Sequence, residues 1–244
     1  GASMEIDRTS TAMPPLTTTL PRFLYVPFSA FAIFALAIGW PNAEWPFVCL
    51  WTLLAAYGLF CWTSCFHEAA HHTLGGSKAL SIVIGRFIGT GIFVPFHVYR
   101  ESHIRHHAYR HKHTDWELWP YSDPKTSLWF RRVFCWLEIP LGIFTSPLVY
   151  ARLYFHKDSP LTDRNVRRKI RNEYIAIAVV WSLVLGTVAA TSSWRMFLVA
   201  WVIPHWIAAV FQPMRNFTAH LGTRSHDPLH GTRTVIGAGP TTRL

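Results

Sequence analysis

Residues 24–40, 46–66, 174–190 and 194–212 carry no Asp, Glu, Lys or Arg, apart from Arg195, and this limits the chain more than any other feature. A helix needs about 20 apolar residues to cross a hydrocarbon core of about 30 Å, so the first run is at the short end and 46–66 is a fuller one. Half of the residues are hydrophobic and only 15% are charged. That balance excludes an ordinary soluble globule. Only residues 41–45 separate the first two runs and only 191–193 the last two, so the pattern predicts an all-α integral membrane protein with four transmembrane helices in two hairpins. Trp40 and Trp45 flank the first turn at interface depth. A signal peptide ending at Ala35-Leu36-Ala37 is the rival reading of the first run. The polar lead of residues 1–23 is long and nearly uncharged, which favours a retained helix. Gly1-Ala2-Ser3 ahead of Met4 reads as a cloning remnant.

The segment 67–173 between the hairpins mixes aromatics, histidines and charge. Two apolar stretches inside it, 80–96 and 128–150, are interrupted by Arg86 and by Arg131, Arg132 and Glu138. Both are expected to lie in the membrane interface as parts of a cytoplasmic helical cap. All of the 23 Lys and Arg except Arg195 fall in the lead, this middle segment and the tail 213–244. The positive-inside rule therefore places both termini and the cap in the cytoplasm, at a bacterial inner membrane. The net charge of +10 expresses this topology and an attraction to anionic headgroups. No nucleic-acid-binding motif accompanies it. Cys49, Cys61, Cys65 and Cys135 form no C-x-x-C pair and read as reduced packing residues.

The 14 histidines are placed in groups. His67 and His71 stand four apart at the end of the second run, on one face if the helix continues, with His72 beside them. "HIRHH" sets His103, His106 and His107 at i, i+3 and i+4, again on a single helical face. "NFTAH" places Asn216 and His220 four apart just past the fourth run. All three groups leave apolar helices on the same side, so they can converge. One catalytic zinc takes three protein ligands, whereas six or seven imidazoles exceed that need and imply two metal ions. His67-Glu68-Ala69-Ala70-His71 also satisfies H-E-x-x-H. The extended zinc-protease pattern, however, would need glycine at Leu74 and histidine at Ser77. His97 and His156 are expected to be packed or solvated residues, His111 and His113 solvated, and His205 a group inside the fourth span.

"HEAAHH", "HIRHH" and "NFTAH", in this order after spans two and four, resemble the histidine boxes of the membrane fatty acid desaturase and hydroxylase superfamily. The resemblance extends over nearly the whole chain. It implies a non-haem centre of two iron ions with His67, His71 and His72 from the first box, His103, His106 and His107 from the second, and His220 as a later ligand. Asn216 would act beside His220 through water. Asp115, in a segment where such enzymes carry aspartate, and Glu68 would orient imidazoles. The activity implied is oxygen-dependent desaturation of a fatty acyl chain taken from the bilayer. Molecular oxygen would be co-substrate, and an acidic ferredoxin or cytochrome would donate electrons. Hydroxylation or ketolation of an acyl chain or carotenoid remains open. The rivals outside this class are a zinc membrane protease and a non-catalytic haem protein, which would need paired histidines inside the spans, where only His205 qualifies. Family members carry a third box, H-x-x-H-H, beyond the position of His220. His226 and His230 match no box, and the tail resembles the stretch that leads into it. The sequence is therefore expected to stop short of the box at Leu244; a chain truly ending there would have a deficient site.

Overall fold

The structure is a computed structural model. It describes residues 24–72, 74, 77–109, 116–117 and 119–220, and for residues 26, 107–109 and 213–220 it gives the backbone course alone. All regular structure among the described residues is helical. Helix α1 (Tyr25–Gly39) passes through a 3-10 turn (Trp40–Asn42) into α2 (Trp45–Ala70). Pro46 occupies the first turn of α2, where its missing N–H is no loss. These two helices pack closely at Gly58, where an added Cβ would lie 2.3 Å from Ser29 Oγ. Ser29 Oγ donates to Tyr25 O at 2.6 Å and accepts from Trp62 Nε1 at 3.0 Å. The crossing is thus fixed by a small residue and a satisfied polar pair, the devices that hold helices together where lipid supplies no hydrophobic drive.

Helices α3 (Lys78–Ile92) and α4 (Phe96–Tyr109) follow, bent by 101° at the short break between them. Ser77 caps α3 by accepting the N–H of Leu80, and Phe93 turns the chain with a left-handed φ of 61°. Pro95 then stops the α3 ladder from continuing. Helix α5 (Leu128–Phe155) is kinked at Leu141, next to Pro140. Helix α6 (Arg164–Ala190) is capped by the Asp163 carboxylate, which accepts from Asn165 N and Val166 N. A short α7 (Trp194–Phe197) runs through a π turn (Leu198–Val202) into α8 (Ile203–His220). The widened turn has a local cause. Pro204 has no N–H for the carbonyl four residues back, and Ile203 N–H bonds instead to Leu198 O.

Four helices are long and apolar enough to cross a membrane: Trp45–Ala70, Leu128–Phe155, Arg164–Ala190 and Trp194–Gln212. The number agrees with the reading of the sequence, and three of the four regions do. The exceptions exchange places. The first apolar run forms a helix of only 15 residues, whereas the stretch starting at Leu128, assigned above to the interface, belongs to one of the four. Two of the charges that interrupt it, Arg131 and Glu138, have partners in the preceding loop. Arg131 Nε donates to Thr126 Oγ1 at 2.9 Å, and Tyr121 OH donates to Glu138 Oε2 at 2.7 Å. The second hairpin is also looser than expected. α8 packs chiefly against α2 and α5, and α6 meets α3 and α4. Large side chains such as Phe34, Leu53, Val83 and Leu183 face outward over these helices, as lipid contact requires. The larger cluster of buried apolar residues, including Trp62, Phe66, Leu74, Ile88, Phe96, Leu153 and Ile170, draws on α2, α3, α4, α5 and α6.

Candidate metal centre

The first histidine group straddles a helix end. His67 lies in the last turn of α2, and the N–H of His71, the C-cap residue, returns to the carbonyls of Glu68 at 3.1 Å and His67 at 3.4 Å. The backbone then reverses at His72, with φ of 57°. From the second group, the N-terminal histidine of "HIRHH" on α4 meets the first two. Ring centroids are 4.9 Å apart for His67 and His71, 4.4 Å for His67 and His103, and 4.9 Å for His71 and His103. His103 Nε2 faces His71 Nε2 at 3.0 Å, and one ligand atom from each ring lies within 4.8 Å of the others. Nitrogens sharing one tetrahedral ion at about 2.0–2.1 Å stand about 3.4 Å apart. The three imidazoles therefore fit a common metal with small side-chain rotations.

His103 is buried, and His67 and His71 are half-buried. The imidazole of His71 is held down at about 4, first by burial and then by the neighbouring His103 and Arg100. It is accordingly neutral near pH 7, the form that ligates a metal. On the far side of His103, Glu117 Oε2 stands 3.6 Å from Nδ1. Tyr150 OH donates to Glu117 Oε1 at 3.3 Å. The Tyr99 ring stacks on His103 at 5.7 Å and meets Tyr150 edge-on at 5.4 Å. Arg152 lies over the rings of Trp116 and Trp119, at 4.3 and 4.7 Å, and reaches Asp123 at 3.7 Å. This sandwich holds the loop on both sides of Glu117 against α5.

The remaining predicted residues stand apart or go undescribed. His72 lies outside the triangle: it is buried, and Arg100 Nε donates to its Nε2 at 2.8 Å. Its pKa is lowered to about 4 by burial and then by Arg100. The reversal at the end of α2 is what separates it from its neighbour. His106 is buried on α4 with its ring 6.2 Å from that of His103. Glu68 contributes its main-chain carbonyl to the helix end. Asp115 and the side chains of His107, Asn216 and His220 lie outside the described residues, as do His111 and His113. His97 is buried against Glu173, and His156 Nδ1 accepts from Asp158 N, in keeping with packed and surface roles. His205 sits on α8 with its ring 5.5 Å from Trp201. Sequence reasoning missed Glu117, although it stands two residues from Asp115 in the same acidic, tryptophan-rich stretch. Tyr150, 33 positions away from it, carried no signal at all.

A helical membrane protein with imidazoles gathered at the ends of its spans is the class that this geometry defines. Residues 43–244 match the profile of the fatty acid desaturase family, and the chain belongs to that family. Among curated proteins it is similar to an sn-1 acyl-lipid omega-3 desaturase (ferredoxin) of Synechocystis sp., at 26% identity over 161 residues, 63% of this chain and 45% of the relative. It is also similar to chloroplastic omega-3 fatty acid desaturases of Brassica napus, at 25% over 64% of the chain and 41% of the relative. The enzyme of Sesamum indicum matches at 25% over 52% of the chain and 29% of the relative. The chain thus spans less than half the length of the curated relatives it matches.

Proposed function

We propose that this chain is the membrane and histidine-box part of a fatty acyl desaturase, an oxygen-dependent oxidoreductase acting on lipid acyl chains. The observation that carries the reading is the meeting of His67, His71 and His103, from two helices, in a chain of the desaturase family. These three would hold an iron ion. His106, His107 and His220, with Asn216 through water, would complete a site for two. When bound, iron supplies the activation of dioxygen. In the overall reaction two adjacent chain carbons lose one hydrogen each, and dioxygen, with two further electrons and two protons, leaves as two waters.

The chain's own residues have distinct tasks. Burial keeps His71 neutral for ligation. The Glu117 carboxylate, with Oε2 3.6 Å from His103 Nδ1, would orient that imidazole by its charge so that Nε2 stays directed at His71. This task was expected of Asp115 or Glu68. The apolar layer of Trp62, Phe66 and Phe96 keeps water from the reacting carbons. The basic residues Arg164, Arg167, Arg168, Lys169 and Arg171 at the start of α6 suit an acidic donor, and the name of the Synechocystis relative specifies ferredoxin. The same charges favour a cytoplasmic site.

The test is metal analysis of the full-length protein together with lipid analysis of cells that express it. About two irons per chain and newly unsaturated acyl chains are expected. Stoichiometric zinc without iron refutes the reading. Unchanged acyl chains alongside hydroxylated lipids or oxygenated carotenoids would replace desaturation by hydroxylation or ketolation.

A further inference from the structure

Helix α4 carries His103, yet it begins without a cap of its own. The residue before it is Pro95, whose side chain offers no oxygen to the N–H groups of the first turn. The missing acceptor comes from another helix. Glu173, 7% exposed on α6, places Oε1 3.0 Å from the main-chain N of His97. Its other oxygen accepts from the His97 ring, with Nδ1 at 2.9 Å, and from Arg86 Nε of α3, also at 2.9 Å. One buried carboxylate therefore ties three helices together at the 101° break, and its negative charge sits at the positive end of α4.

We propose that Glu173 is a positioning residue for the metal centre, acting through α4 without touching any of the three clustered histidines. This rests on the reading of that centre as a metal site. His97 and His103 are six residues apart, about 9 Å along one rigid helix, so a rotation at the clamp is delivered to the imidazole. The break has little room to absorb such a rotation elsewhere. A Cβ on Gly89 would lie 2.3 Å from the carbonyl of Val94, and one on Gly85 would lie 2.4 Å from the Phe96 ring. The turn is already in contact with α3, and the carboxylate determines which way α4 leaves it.

The experiment compares the full-length wild-type protein with Glu173→Ala, Glu173→Gln and Ile177→Ala in lipid nanodiscs. Ile177 is buried one turn further along α6 and serves as a packing control. Iron(II) retention is titrated against a competing chelator, the cobalt(II)-substituted spectrum reports ligand geometry, and a thermal scan reports the folded fraction. Glu173→Ala is expected to weaken iron retention about tenfold and to alter the cobalt spectrum, an effect of the size seen when groups behind metal ligands are removed. Glu173→Gln, which keeps an acceptor for the His97 N–H, falls between it and wild type and carries the test if the alanine variant does not fold. Ile177→Ala lowers the melting temperature and leaves iron retention unchanged. Wild-type retention in both Glu173 variants, or an equal loss in Ile177→Ala, overturns the clamp and leaves the metal centre standing. Absence of metal binding in the wild-type protein overturns both.

Discussion

The two ends of helix α2 obey different physics. Near its start it pairs with α1 through small residues, aromatic edges and outward-facing apolar side chains, among them Phe31 against Trp51 at 5.5 Å. At its other end lie His67 and His71, met by His103 and, behind it, by Glu117, Tyr150 and Arg152, all from other segments. Apart from the Ser29–Trp62 pair, the first region tolerates exchange of one apolar group for another of similar volume, because contact area and fit are its main requirements. The second depends on individual atoms, since each buried polar group there must find a particular partner.

Substitutions can break this contrast or sharpen it, and the largest effect belongs to His103→Ala. Loss of one of three clustered imidazoles should lower metal retention by a factor on the order of 100 or more and abolish desaturation, with helical content by circular dichroism preserved. A variant that retains metal normally would place the centre elsewhere. Glu117→Ala comes next, with an expected 10- to 100-fold loss in metal affinity, and Glu117→Gln a smaller one, because the amide keeps the shape and an oxygen facing Nδ1 while losing the charge. Chelator competition reads both.

Midway along α2, in its contact with α1, Gly58→Val forces a branched side chain against Ser29 and should destabilise the protein by about 1–3 kcal/mol through overpacking. Its melting temperature in detergent should fall while metal per folded chain stays constant; joint loss of both would couple the two regions. The smallest effect is expected for Leu183→Ala, on the outward face of α6 at 67% exposure. Stability should change by no more than about 0.5 kcal/mol, with metal content unaffected.

Much of the helical framework was legible because apolar length and the absence of charge are properties of contiguous residues. Helix α5 was misjudged for the converse reason: Arg131 and Glu138 count against a span when read alone, and their answering groups, Thr126 and Tyr121, become visible only once the preceding loop folds back. The pairing of His67 with His71 followed from helical spacing. Adjacency suggested that His72 would join them, but the left-handed turn at the end of α2 delivers it to Arg100 instead.

By itself the sequence determined that this is a helical membrane protein with imidazoles near the ends of its spans, since periodicity and hydropathy act over neighbouring residues. Only the tertiary structure decided which imidazoles meet, that Glu117 stands behind His103, and that Glu173 caps a helix other than its own. Such contacts depend on crossing angles and helix breaks, which no local pattern of residues encodes.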